Sequence, residues 1–402
     1  MRKIDLTNFQ VATSGTARRI NRRIALSIIR RHQPMSRADL ARRSGLQRST
    51  VSAIIQQLID EGWVTEGATG SVARGRRPRL LHLNVERAGI LAVDLRPGST
   101  RVGLAGIDAR FVMQTAWPTP PTPAGFAAEL ARTVKAFRSA HREIVWEGVG
   151  VSVPGRVDES GRLLFAPNLG WENVDLGPLL ESALGLPVVL ENAANACALA
   201  ENWFGHHPDN VRHLVAVTVS EGIGVGLLLN GQLVHGCDAM AGEFGHVTVD
   251  ENGPPCRCGK RGCWEQYASN SAAVRHYLET QAARSAPSGA PSSALPLRFT
   301  DILRLVDGGD EVAIETIDRM AHYLGIGVAG LVTGLAPQVL VVAGEVTAAW
   351  QRVGPIVADE VRRRSVPRIT TAVVPTDPAT QPRLRGAIAL VVQQHFGAPN
   401  VA

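Results

Sequence analysis

The 402-residue chain has no run of about 18 consecutive apolar residues, so it offers no stretch that reads as a transmembrane helix. Its first residues, MRKIDLTNFQ, lack the apolar segment of a secretory signal, and a cytoplasmic protein with no membrane partner is expected. Cysteine is scarce, at five. Three of them crowd into positions 256–263, where an odd number leaves one thiol without a disulfide partner. Reduced, metal-binding thiols again fit the cytoplasm. The balance of 45% apolar and 19% charged residues is that of a globular protein, and the length suits two or three domains.

Acidic residues are short in one region only. Positions 1–85 hold 16 Lys/Arg against 5 Asp/Glu, whereas the remainder holds 26 against 31. A basic head on a mildly acidic body suggests that the head meets a polyanion and the body does not.

Residues 1–17 read as an irregular, flexible N-terminus. From Arg18 to Arg31, Ile20, Ile24, Ala25, Ile28 and Ile29 recur at helical spacing. Ser36 is then a natural N-cap for a helix over Arg37–Arg43, with Asp39 placed where a carboxylate favours a helix N-terminus. Gly45 supplies a turn, and Val51, Ile54, Ile55 and Leu58 give the buried stripe of a second helix from about Gln47 to Asp60. Gly62 ends it, and strands start at Trp63 and again at Leu80 around the stretch Gly67–Arg79. This order is that of a winged helix-turn-helix over residues 18–84. Arg37 and the recognition-helix residues Gln47, Arg48, Ser49, Thr50 and Ser52 are the candidates for DNA contact, being types that reach base edges or phosphates in a major groove. Arg74, Arg76 and Arg77 fall in the wing, suited to a minor groove or phosphates.

The stretch Gly242–Ser269 reads GEFGHVTVDENGPPCRCGKRGCWEQYAS. Cys256, Cys258 and Cys263 stand at C-x-C-x4-C spacing with His246 ten residues before the first, and three thiolates with one imidazole make a full tetrahedral set for Zn2+. Four protein ligands leave no open position, so such a zinc is structural.

Residues 85–402 read as a two-lobed α/β body. Ile90–Leu95, Arg101–Ala105 and the Val112-Met113 pair form a strand meander, Ala124–Ala140 a helix, Gly148–Val153 and Pro187–Asn192 apolar strands, and Ala193–Trp203 a helix. His213–Val219 and Gly224–Leu229 pair around a glycine-rich turn, Asp310–Leu335 is a long helix, Gln338–Val342 a strand and Gly386–His395 a closing helix. Gln281–Pro296 is rich in Ser, Ala and Pro and reads as a surface loop. Lobe I is expected over about 88–200 plus a C-terminal helix at 385–395, and lobe II over about 201–384, with a cleft between them.

The Glu243-x-Gly245-His246 pattern, followed by Cys256-x-Cys258-Gly259, Gly262-Cys263 and Glu265, resembles the ROK family of bacterial sugar kinases and sugar-responsive repressors. A winged helix ending in Gly-Arg-Arg-Pro ahead of such a body is similar to the xylose-repressor-like branch. The resemblance implies an actin/hexokinase-type (RNase H-like) body with a monosaccharide site made by Asn192, Glu243, His246 and Glu265, and a weaker contact from Asn168. Carboxylates accept bonds from sugar hydroxyls, while Asn and His can donate and accept.

What a kinase of this family requires is missing. The base expected after Asn192 is Ala193, whose methyl cannot accept a proton. The first phosphate loop reads Asp94-Leu-Arg96-Pro97-Gly-Ser99, where Arg96 and Pro97 replace glycines and Pro97 has no N–H to offer. The second reads Ser220-Glu221-Gly222, placing a carboxylate where a triphosphate would lie, and the Gly-Gly expected beside adenine is Gly344-Glu345. The expectation is a non-enzymatic transcriptional regulator, a repressor in sign. It would be a homodimer or homotetramer on a palindromic operator, with a monosaccharide or aminosugar effector. The competing readings are an active sugar kinase with a fused DNA-binding head, and a regulator that answers to a protein partner.

Overall fold

The computed structural model describes residues 14–69, 79–85, 88–208, 210–284 and 297–397. The head comprises α1 (Ser14–His32), β1 (Met35–Ser36), α2 (Arg37–Ser44), α3 (Arg48–Asp60), β2 (Val64–Thr69) and β3 (Arg79–Leu83), with a sheet ordered β1-β3-β2. Ser36 and Asp39 form a reciprocal capping box at the start of α2, and Gly45 closes that helix in the left-handed conformation. The apolar stripe of α3 is buried as its spacing requires: Val51, Ile54, Ile55 and Leu58 are each at most 5% exposed. One expectation fails here. The first helix begins at Ser14, so residues 14–17 continue it rather than forming part of an irregular arm.

The body holds two five-stranded sheets of one plan and a small three-stranded sheet inserted in the first half. The first carries β4 (Ala88–Asp94), β5 (Thr100–Ala105), β6 (Phe111–Trp117), α4 (Pro123–Ala140), β7 (Val145–Val153), the small hairpin strands β8 (Arg156–Val157), β9 (Leu163–Ala166) and β10 (Trp171–Val174), α5 (Leu176–Leu184), β11 (Val188–Asn192) and then α6 (Ala193–Phe204). The second carries β12 (Leu214–Val219), β13 (Ile223–Leu229) and β14 (Gln232–Leu233). It continues with α7 (Glu265–Ala268), α8 (Asn270–Arg284), α9 (Phe299–Asp307), α10 (Glu311–Leu335), β15 (Val339–Gly344), α11 (Trp350–Arg364), β16 (Ala372–Pro375) and α12 (Pro382–Phe396). The five-stranded sheets are ordered β11-β7-β4-β5-β6 and β14-β13-β12-β15-β16, each an antiparallel meander extended by two parallel strands, and the small sheet is ordered β10-β9-β8. Helix α8 runs through Arg284, so Gln281–Arg284 is helical where a loop was expected, and the rest of that loop up to Leu297 lies outside the described residues.

Ligands of parallel-strand folds sit beyond the carboxyl ends of the strands. In the first sheet those ends bring Asp94 beside Ser152 and Asn192 beside Val153. In the second, Val219 pairs with Gly344, so Glu221 and Glu345 follow at the corresponding end. Helix α6 is not confined to lobe I as expected. Its first turn lies on β13, where a methyl on Gly226 would come within 2.3 Å of the Ala194 carbonyl. It also crosses α12 so closely that a methyl on Gly386 would lie 2.1 Å from the Ala196 carbonyl. Glycine is required at both positions by this backbone approach. None of the described helices is long and apolar enough to cross a membrane.

Candidate functional site

The Gly242–Ser269 stretch folds as irregular loop framed by two isolated bridges, Thr248 with Cys263 and Pro255 with Arg261. It gathers His246, Cys256, Cys258 and Cys263 so that one ligand atom from each lies within 4.8 Å of all the others. His246 Nδ1 is 3.5 Å from Cys256 Sγ, and Cys258 Sγ is 3.5 Å from Cys263 Sγ. Tetrahedral zinc with bonds of about 2.0–2.3 Å separates its ligand atoms by roughly 3.5 Å, so two of the pairs already stand at that spacing and the cluster could hold the ion after a small contraction. Burial, aided by the Glu265 carboxylate, pushes the Cys256 thiol up to about 12. Cys258 is held below its ordinary value: burial opposes this, but the Lys260 backbone N–H, the Cys256 and Cys263 thiols and the Lys260 charge together outweigh it. Cys263 is raised, chiefly by burial.

The two glutamates flank this cluster. Glu265 Oε1 lies 3.2 Å from Cys256 Sγ and 3.6 Å from His246 Nδ1. Glu243 Oε2 is 3.7 Å from the other ring nitrogen of His246. One imidazole therefore faces the thiols with Nδ1 and Glu243 with Nε2. The other Glu265 oxygen lies against Gly222, where a methyl would meet it at 2.7 Å. The glycines of the 222–226 stretch, which the sequence suggests serve turns, instead leave room for Glu265 and for the first turn of α6.

Asn192 stands at the opposite wall. Its Oδ1 accepts from the Ala194 N–H as the N-cap of α6, and its Nδ2 donates to the Gly155 carbonyl. Ala193 follows it, so no carboxylate stands at the base position. Asn168 is exposed, and its Oδ1 accepts from Arg257 Nη1 at 2.9 Å. Arg257 sits between two of the thiols, and sequence reasoning missed it because its partner is 89 residues away.

A second lobe-to-lobe contact was also missed. Glu191, which is 8% exposed, accepts from the Asn192 N–H and the Asn195 amide through Oε1, while Oε2 lies 2.8 Å from His235 Nε2. The bond to Glu191 raises His235 above its ordinary value of 6.5, with a smaller contribution from the Glu159 charge and an opposing one from burial. The charged imidazole is favoured in the folded state, so the contribution is complete below pH 6.5 and is lost as pH rises through the raised value. A thermal-unfolding series between pH 6 and 8 is therefore expected to show a decline on the alkaline side, and Glu191→Gln should flatten it. A wild-type series that tracks the variant would remove the ion pair from the account.

A buried ion-pair cluster sits at the carboxyl end of β4. Asp94 is 1% exposed and holds two guanidinium groups, Arg96 Nε at 2.6 Å from Oδ2 and Arg383 Nε at 3.0 Å from Oδ1. Arg96 stays raised despite burial because Asp94, Glu345 and Glu221 all bear on it. Glu345 is itself bonded by Asn270 Nδ2 at 2.9 Å. Arg96 is thus paired with Asp94 and lies in the field of Glu345 and Glu221, at the carboxyl ends of the two sheets.

In the head, Gln47, Arg48, Ser49 and Ser52 are exposed on the first turns of α3, and Thr50 is half-buried. No side chain caps the α3 N-terminus. Arg37 does not project as expected: Nε bonds Glu66 Oε1 at 2.8 Å, and Nη1 reaches the Ser52 carbonyl. Glu66 neutralises it and draws it onto the wing strand. Arg74, Arg76 and Arg77 lie outside the described residues.

A winged helix ahead of a two-lobed α/β body is the build of a DNA-binding transcriptional regulator. The chain belongs to the ROK family, whose model matches residues 91–394, and a MarR family model matches residues 24–66. It is 30% identical to a xylose repressor of Bacillus subtilis over 84% of this chain and 85% of that protein. It is 31% identical to a glucokinase of Streptomyces coelicolor over 68% and 86%. Among solved structures, a ROK family transcriptional regulator homologous to the Escherichia coli Mlc protein superposes with a TM-score of 0.81 at 24% identity, covering 94% of this chain and 98% of that one.

Proposed function

We infer that the chain is a repressor that binds an operator through its winged helix and a monosaccharide or aminosugar through its cleft, without phosphorylating it. The observation that carries this reading is the contrast between the two halves of the cleft. The set Glu243, His246 and Glu265 is kept, while Arg96 and its carboxylates fill the nucleotide half. In this reading Glu243 and Glu265 accept sugar hydroxyls, His246 Nε2 adds a donor or acceptor, and Asn192 with Asn168 contributes from lobe I. His246, Cys256, Cys258 and Cys263 hold a structural Zn2+, which fixes the loop that aims Glu265. With the ion bound, Cys256 is a thiolate and no longer donates to Glu265, whose carboxylate is then available to a hydroxyl. Arg48, Ser49, Ser52, Gln47 and Thr50 read the major groove, and Arg74, Arg76 and Arg77 clamp the wing to DNA. Pairing of two chains about a two-fold axis gives a palindromic operator.

Thermal shift with D-xylose, D-glucose and N-acetyl-D-glucosamine, and separately with Mg2+ and a non-hydrolysable ATP analogue, tests the contrast. One sugar at saturating concentration should raise the midpoint by a few degrees, about what 2–3 kcal/mol of binding supplies, while the nucleotide should raise it by less than about 1 °C. Stabilisation by nucleotide of the size given by sugar would overturn the self-filled pocket. Stabilisation by neither would favour a regulator that answers to a protein partner.

A further inference from the structure

The two helices that start in the cleft end under the DNA-binding head. Helix α6 begins at Asn192 and is 12 residues long, about 18 Å. Helix α12 begins beside Arg383, which holds Asp94 at the carboxyl end of β4. They cross in contact at Gly386 and Ala196 and end together, with the rings of Trp203 and Phe396 6.5 Å apart and edge-on.

Their last carbonyls have no partner within their own helices and carry the negative end of each helix dipole. Helix α1 of the head supplies partners from one face, at positions 23, 27 and 30. Arg23 Nη2 donates to the Gln394 carbonyl at 3.0 Å, Ser27 Oγ to the Phe396 carbonyl at 2.7 Å, and Arg30 Nη1 to the Trp203 carbonyl at 3.0 Å. The Arg30 guanidinium also lies 4.4 Å from the Trp203 ring centroid. Trp63, at the start of the wing and 4% exposed, lies tilted against the His395 ring at 4.7 Å and meets Phe396 edge-on. The apolar core of the head is continuous with α12, and Trp203 and Phe204 pack against it.

We propose that α6 and α12 are a paired strut that carries sugar occupancy to the DNA-binding head, with Arg30 on Trp203 as the positioning contact. This rests on the sugar-responsive reading above. A shift of the α6 N-terminus when a sugar engages Asn192 moves the Trp203 end as one rigid body. The head follows because α1 is bonded to that end and to its neighbour. No ligand need touch the head, and its differential contacts with Asn192 set the size of the effect.

The test uses the full chain and a duplex recovered by in-vitro selection with the sugar-free protein. Operator affinity is measured with and without D-xylose, D-glucose and N-acetyl-D-glucosamine for wild type, Arg30→Met and Arg31→Met. Arg31→Met removes the same charge from an exposed neighbour. Wild type should show a sugar-dependent change of about tenfold, within the usual range of coupling between sites. Arg30→Met should reduce it to less than about threefold while keeping the wild-type thermal shift with sugar, and Arg31→Met should keep the full ratio. An Arg30→Met chain with the wild-type ratio overturns the strut alone. A wild-type chain that holds the duplex but ignores all three sugars overturns the functional reading beneath it. Amide exchange on the wild-type chain gives a readout that needs no variant: sugar should change protection at the last turn of α6 and in α1, and unchanged protection there contradicts the proposal.

Discussion

Glu265→Ala is expected to weaken the effector sugar roughly 100-fold. A carboxylate bonded to two sugar hydroxyls contributes about 1.5 kcal/mol per charge-assisted bond, and about 3 kcal/mol corresponds to that factor. The side chain is placed for the role. Oε1 lies against His246 and Cys256, and Oε2 lies in the space left by the missing side chain of Gly222. Gly222→Ala should weaken the sugar in the same direction, because the new methyl falls 2.7 Å from the carboxylate oxygen and forces it away. Calorimetric titration of the sugar reads both variants, with metal content measured alongside. A Glu265→Ala chain that binds sugar normally at full metal content would place the sugar elsewhere.

Cys256→Ala should abolish metal binding and lower the thermal midpoint by roughly 10 °C, since a structural zinc supplies several kcal/mol of folding free energy and the loop has little else. Between Val247 and Trp264 the backbone is held by two isolated bridges and turn hydrogen bonds rather than by a helix or sheet, and Cys256 is 7% exposed at its centre. The loss reaches further than the loop. Arg257, beside Cys256, bonds Asn168 on the facing lobe, so an untethered loop also releases a lobe-to-lobe contact. The sugar response should fall with the metal, and chelation of the wild-type chain should reproduce both effects. Metal analysis, thermal unfolding and sugar titration of the variant check this, and a variant with full metal and normal induction would refute the role of the knuckle.

The His246, Cys256, Cys258 and Cys263 cluster, which could hold a metal, was legible in the sequence because ligand chemistry and short spacing suffice to define it. The capping box at Ser36 and Asp39 and the apolar stripe of α3 were legible for the same reason, since each is a local pattern. What escaped was set by distant neighbours. The pairing of Arg37 with Glu66, 29 residues on, could not be read from the local pattern. Asn192 caps α6 and bonds the Gly155 carbonyl, which its residue type alone does not reveal. Helix α11 carries Pro355 in its interior and was not anticipated, because a proline reads as a breaker while burial of Val353 and Val357 holds the helix in place. The departures from the kinase pattern were each visible as substitutions. That Arg96, Glu221 and Glu345 act on one another required the carboxyl ends of two sheets to meet.

The most direct test of the central claim is a titration of the wild-type chain against its selected duplex with no nucleotide present, with and without sugar, followed by recovery of the sugar after incubation with Mg2+ and ATP. The account predicts about a tenfold change in duplex affinity caused by sugar alone, and sugar recovered without a phosphate. A response that needs ATP, or sugar phosphate formed at about 1 s⁻¹ or faster, would contradict it.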